Sequence, residues 1–154
     1  MKLRWLLAAV AAAAIAAPAL AQPAGTLKKI ADARSIALGF RLDAAPFSYR
    51  GSNGEPTGYS VDLCRRVVVA VERALGVAGL EVKWVPVTPE NRIAAVTGGA
   101  VDLECGVTTV TLGRQEQVDF SSLIFAEGGS LLVRAEGGPS RLAELAGRTV
   151  GVMA

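Results

Sequence analysis

The chain has 154 residues, 51% of them hydrophobic, which is enough apolar material for one domain with a real core. It carries 16 basic and 14 acidic residues and no histidine, so histidine-based catalysis and histidine metal sites are excluded. Two cysteines, Cys64 and Cys105, cannot make a cysteine-rich zinc site on their own, and no cofactor is expected.

The first residues read as a secretory signal peptide. Lys2 and Arg4 form a positive n-region, Trp5 to Ile15 is an apolar run, and Ala19-Leu20-Ala21 is a small-x-small cleavage site. The run is shorter than the ~20 apolar residues that a membrane span needs. Cleavage after Ala21 leaves 14 basic residues against 14 acidic ones. A neutral chain has no electrostatic footprint for nucleic acid or an anionic membrane. Export also implies an oxidising compartment, in which a disulfide is permitted.

Leu27, Ile30 and Ala31 have helical spacing and predict a short opening helix. Ser35 to Phe40 predicts a strand, and Arg41 to Gly58, with its prolines, glycines and Asn53, reads as a polar loop. The clearest helix runs from Ser60 as N-cap to Gly76, with Leu63, Val67, Val71, Ala74 and Leu75 as its apolar stripe. Arg65, Arg66, Glu72 and Arg73 form its solvated face. Leu80, Val82 and Trp84 alternate with Glu81 and Lys83, which predicts a second strand. Thr88-Pro89 predicts an N-cap followed by proline at the first helical position, for a helix reaching about Thr97.

Val101, Leu103 and Cys105 predict a third strand, followed by a loop rich in small and hydroxyl residues. A turn or two of helix then carries Arg114, and a further strand is expected at Val118 to Phe120. Beyond it the pattern predicts a strand at Ser130 to Arg134, a short helix capped by Ser140 over Leu142 and Leu145, and a strand from Thr149 to Met153.

Strands alternating with helices predict an α/β layout with a parallel sheet. Ligands of such sheets bind beyond the carboxyl ends of the strands. Arg41 follows the first strand, and Val107, Thr109 and Arg114 follow the third, so both sets project toward one edge. Backbone N–H groups in a strand-loop-helix corner attract an anion, and a neighbouring guanidinium can clamp a carboxylate through paired hydrogen bonds. The same corner can also be an ordinary connection with Thr111 as N-cap and Arg114 in solvent. Cys64 lies early on the long helix and Cys105 ends the strand beside it. The two either bridge or stay as separate buried thiols. Glu104 alternates with Cys105 and points to the opposite side of the strand, which reads as structural.

Three ordered segments carry a resemblance: GYSVDLCRRVVVAVERALG from Gly58, VPVTPENRIAAVTGGAVD from Val85, and VDLECGVTTVTLGRQEQVDFS from Val101. The chain resembles the family 3 extracellular solute-binding proteins, the type II periplasmic binding proteins of amino-acid ABC transporters. The Glu-Cys-Gly before the loop is similar to the glutamate/aspartate-binding branch. The resemblance implies a type II α/β fold with residues 22–125 as the first lobe and 126–154 as the hinge crossing and start of a second. The chain then reads as a fragment, and one that alone binds glutamate weakly or not at all.

The same resemblance implies that Arg114 clamps the α-carboxylate, that Thr109 reaches the ligand through hydroxyl and N–H, and that Val107 contributes backbone groups. Basic-amino-acid binders of the family have an acidic residue where this chain has Arg41. The reversed charge suits a ligand side-chain carboxylate. Ala44 replaces a covering aromatic, for which Phe47 and Tyr49 are candidate substitutes. Asn91 and Arg92 are read as helix capping and helix surface. The implied protein is a periplasmic monomer that binds an acidic amino acid and delivers it to an ABC transporter permease, with no catalytic residues. An enzyme of dehydratase type on the same scaffold, or the ligand-binding module of a sensory receptor, is the alternative.

Overall fold

The structure is a computed structural model and describes residues 25–151, so the signal peptide lies outside the described residues. Two compact units divide the chain, one reaching Phe120 and the other starting at Ser121.

In the first unit, helix α1 (Thr26–Ala33) ends where Arg34 adopts a left-handed conformation, φ 54°. Strand β1 (Ser35–Phe40) follows directly. It is the middle strand of a parallel sheet in the order β5-β1-β6, with β5 at Glu81–Pro86 and β6 at Leu103–Cys105. The register sets Phe40 opposite both Pro86 and Cys105, and Gly39 opposite Glu104. Ile36, Leu38 and Phe40 are buried, as expected for a strand flanked on both sides. Ile36 and Leu38 belong to the main core with Ile30, Cys64, Val68, Leu80 and Cys105.

The long helix, α2, runs Tyr59–Leu75 and ends at Gly76 in the left-handed conformation that only glycine adopts without strain. Its beginning differs from the expectation. Ser60 is inside the helix, and the N-cap is Gly58, whose side-chain-free position offers no cap bond. The buried stripe is also rotated. Val61, Cys64 and Val68 are buried and Val71 and Leu75 partly so, whereas Val67 is 41% exposed. Residues 67–71 are apolar nearly all round, so periodicity alone does not choose a face. Cys64 does, because it is tied to Cys105 in the sheet.

The stretch expected to be a loop after β1 folds into a small antiparallel sheet: β2 (Asp43–Ala44), β3 (Ser48–Arg50) and β4 (Pro56–Thr57). Strands this short hold too few residues for an alternating pattern to show. The next helix, α3, is Arg92–Thr97, shorter than expected. Thr88 to Asn91 form a turn instead, in which the Thr88 N–H donates to Asn91 Oδ1 (2.8 Å) and the Asn91 N–H to Thr88 Oγ1 (3.3 Å). This reciprocal pair satisfies the N–H groups that a longer helix would otherwise leave exposed. Helix α4 is Leu112–Gln115, capped by Thr111 as in the ordinary-connection alternative, and Val118 to Phe120, expected as a strand, form none.

In the second unit the expected helix is a 3-10 turn, Leu142–Leu145, without a side-chain cap from Ser140. Residues 130–134 and 149–151 are not strands, and the end of the last expected strand lies outside the described residues. A strand needs a neighbour to complete its hydrogen bonds, and none of these segments is paired with one among the described residues.

Candidate ligand-binding site

The parallel sheet delivers the ends of β1, β5 and β6 to one edge. Arg41 emerges from β1. Its N–H donates to the buried Ser48 hydroxyl (2.9 Å), and its guanidinium Nη2 donates to Asp43 Oδ1 (2.7 Å). Arg41 is 9% exposed, but Asp43 is open to solvent, so the pair is half screened.

From β6 each successive residue is anchored differently. Glu104 lies opposite Gly39 in the ladder. Cys105 is bonded to Cys64, with Cα atoms 6.1 Å apart. The Gly106 carbonyl accepts a hydrogen bond from the buried Ser60 hydroxyl (2.8 Å), which explains why that serine sits within the helix. A Cβ at Gly106 would overlap Glu104 Oε1, so a side chain there would have to displace the Glu104 carboxylate. The loop beyond is therefore fixed at its root. Val107 and Thr109 are exposed on it. Arg114 Nη1 donates to the Thr109 carbonyl (2.8 Å), and the Arg114 N–H to Thr111 Oγ1 (3.4 Å). The half-buried guanidinium thus arches back over the loop rather than standing in solvent.

Arg92 corrects the sequence reading. It is not on the helix surface but only 9% exposed, and its Nε is buried with no hydrogen-bond partner. Burial pulls the Arg92 guanidinium below its ordinary value. The Glu104 charge opposes this, Arg114 and Arg41 add to it, and Glu90 opposes it. Burial also pushes the Glu104 carboxyl above the usual carboxylate range, against the pull of the Thr108 hydroxyl and of the Arg92 and Arg41 charges. Arg41, Arg92 and Arg114 therefore share one electrostatic field at the sheet edge. Arg92 was missed because ENRI after a turn resembles the start of a solvated helix. The signal that could have found it is its place directly after the second parallel strand, at the same edge as Arg41 and Thr109.

Ala44 lies in β2, and Tyr49 is half-buried in β3. Phe47 packs edge-to-face on Tyr59, ring centroids 6.1 Å apart. Among the described residues, no group of His, Cys, Asp or Glu could hold a metal ion, and no helix is long and apolar enough to cross a membrane.

Residues 36–141 match the family of bacterial extracellular solute-binding proteins, family 3. The L-glutamate/L-aspartate-binding protein of Pseudomonas aeruginosa is 45% identical over 127 residues, 82% of this chain and 42% of that protein. The glutamate/aspartate import solute-binding protein of Salmonella typhimurium is 40% identical over the same shares. The chain thus spans about two fifths of the length of these curated relatives. Among solved structures, the ancestral amino acid-binding protein AncCDT-1, a precursor of cyclohexadienyl dehydratase, superposes with a TM-score of 0.56 at 31% identity, over 64% of this chain and 40% of that one. A mutant of domain 1 from TmArgBP in its arginine-bound form gives 0.56 at 28% identity, over 73% of this chain and 78% of that one. The parallel sheet with its flanking helices is part of a type II periplasmic-binding-protein fold, and the chain belongs to the bacterial extracellular solute-binding proteins, family 3.

Proposed function

We propose that this lobe belongs to the periplasmic substrate-binding component of an ABC importer for glutamate or aspartate. The exported, monomeric protein, cleaved after Ala21, hands its ligand to an inner-membrane permease. The carrying observation is the third guanidinium. Arg92 is buried with an unpartnered Nε in the field of Arg41 and Arg114, and that excess of positive charge suits a ligand with two carboxylates. The printed names of the relatives from Pseudomonas aeruginosa and Salmonella typhimurium favour the same ligand class. In this reading Arg114 holds the α-carboxylate, with Thr109 and the backbone at Val107. Arg41 and Arg92 meet the side-chain carboxylate.

Calorimetry on the chain extended to the length of its relatives tests this assignment. Arg114→Ala weakens glutamate, aspartate and glutamine alike. Arg41→Ala and Arg92→Ala each cost ~1–3 kcal/mol for glutamate, as for a lost charge-assisted bond, and leave glutamine nearly unchanged. Equal glutamate affinity in wild type and both variants would sink the acidic-ligand assignment.

A lone lobe supplies one wall of a cleft and leaves the far side of a bound ligand in water, where an ion pair contributes only ~0–1 kcal/mol. On that ground no thermal shift is expected for the 154-residue chain at millimolar glutamate. The arginine-bound domain 1 of TmArgBP argues the other way, and a clear shift here would show that the first lobe suffices.

Two observations favour the dehydratase reading. Glu104 is a carboxyl with a raised pKa at the sheet edge, and one structural neighbour is a precursor of cyclohexadienyl dehydratase. Turnover of a cyclic hydroxy acid, absent in Glu104→Gln, would establish it.

A further inference from the structure

Three buried polar atoms lack a hydrogen-bond partner among the described residues: Arg92 Nε, Glu104 Oε1 and Thr108 Oγ1. All three belong to the edge where β6 ends. The surrounding cations are already engaged or out of reach. Arg41 is bonded to Asp43, Arg114 to the Thr109 carbonyl, and among the described residues no guanidinium forms an ion pair with Glu104. The Glu104 backbone is held in the ladder opposite Gly39, and its Oε1 occupies the space beside Gly106 that a Cβ there would take. A carboxylate placed in this way beside a ligand site for anions meets a cost in either state. Ionised, it keeps a buried Oε1 without a hydrogen-bond partner, although the Thr108 hydroxyl and the Gly106 N–H favour that form. Protonated, it gives up its attraction to Arg92 and Arg41.

We propose that Glu104 is a specificity-determining residue: when ionised it competes with the ligand's side-chain carboxylate for the guanidinium cluster, and it takes up one proton as an acidic amino acid enters. The inference rests on the proposed function. The balance is simple. Glutamate brings one net negative charge, the proton from solvent adds to a Glu104 oxygen, and the charge of the site is unchanged. Glutamine brings no net charge and needs no proton. On release of glutamate the proton returns to solvent.

The groups acting on Glu104 are Arg92 from α3, Arg41 from the end of β1, and the Thr108 hydroxyl and Gly106 N–H from its own loop. Glu90 and Arg114 act on Arg92 in turn. Asp102, at the other end of β6, is committed to the Ala37 N–H and Lys29. Because burial already favours the protonated carboxyl and the ligand's negative charge favours it further, glutamate affinity rises as pH falls. The rise stops where the ligand's own side-chain carboxyl begins to titrate, at about 4.3.

The test is calorimetry on the full-length protein, with glutamate and with glutamine, in two buffers of different ionisation enthalpy. Wild type should take up a fraction of a proton with glutamate and tighten several-fold as pH falls from neutrality. Glutamine should show neither effect. In Glu104→Gln both effects of glutamate should vanish while binding persists. Should that variant fail to fold, Thr108→Val keeps the carboxyl and removes a group that favours its ionised form, so the pH dependence should move to higher pH. Glutamate binding without proton uptake in wild type, an unchanged pH profile in Thr108→Val, or undiminished uptake in Glu104→Gln would overturn the proposal alone. Absence of glutamate binding at any pH would overturn it together with the proposed function.

Discussion

Replacing both cysteines, Cys64→Ala with Cys105→Ala, should lower the folding free energy by about 3–4 kcal/mol. The bridge closes a loop with a sequence separation of 41 residues, and the chain-entropy relation gives this magnitude for such a loop. The loss acts mainly on the unfolded chain, which regains the freedom the bridge removed. Urea unfolding of the oxidised wild type against the double variant measures it, and a larger denaturant slope in the variant would accompany the loss. Both sulfurs lie in the core that joins α2 to the sheet, so a small packing cost adds to the entropic one. The bridge also fixes the residue before Gly106, whose carbonyl is held by Ser60 from the same helix one turn earlier. Ligand affinity should therefore fall along with stability. A stability loss below about 1 kcal/mol would mean that the unfolded chain is already restricted without the bridge.

The elements that could be read in the sequence are those whose own residues decide them. Strand β1 has the predicted bounds because its apolar run stops at a charged residue on one side and follows a helix on the other. The end of α2 at Gly76 is a local event, a left-handed residue that only glycine takes cheaply. Where a partner decides, the reading failed. Ser60 looked like a helix cap because serine usually is one, yet its hydroxyl is drawn to Gly106, far along the chain. The short strands of 43–57 exist only through each other. The rotation of α2 is set by Cys64, which no apolar period reveals. The site shows the same division. Thr111 as cap, and Arg114 beside the loop, follow from the residues between Cys105 and Arg114 alone. The burial of Arg92 depends on three separate strands ending at one edge, and appears only once β5, β1 and β6 are assembled.

Gly58→Ala should be among the most damaging single substitutions in the chain, costing roughly 3 kcal/mol or more. Gly58 has φ 123° and ψ 171°, a conformation essentially confined to glycine. Space is lacking as well. A Cβ there would overlap the Phe47 carbonyl and lie 2.8 Å from the Pro46 carbonyl oxygen, and both are backbone rather than movable side chain. Those two carbonyls are what the start of α2 depends on. The Tyr59 N–H donates to Pro46 O (3.1 Å) and the Ser60 N–H to Phe47 O (2.9 Å), in place of any side-chain cap. Alanine therefore cannot be relieved by a rotamer change. It must push the 46–47 backbone off the helix, which removes both caps and adds their loss, about 1 kcal/mol each, to the strain. Gly76→Ala is the control. It also has positive φ, 64°, but nothing lies within 4 Å of its would-be Cβ, so it should cost only the ~1–2 kcal/mol of the left-handed conformation. Denaturant midpoints of the two variants measure the difference. Equal losses would show that the 46–47 backbone is not held against α2. A larger loss at Gly58 would also weaken the Ser60 bond to Gly106, and through it the root of the ligand loop.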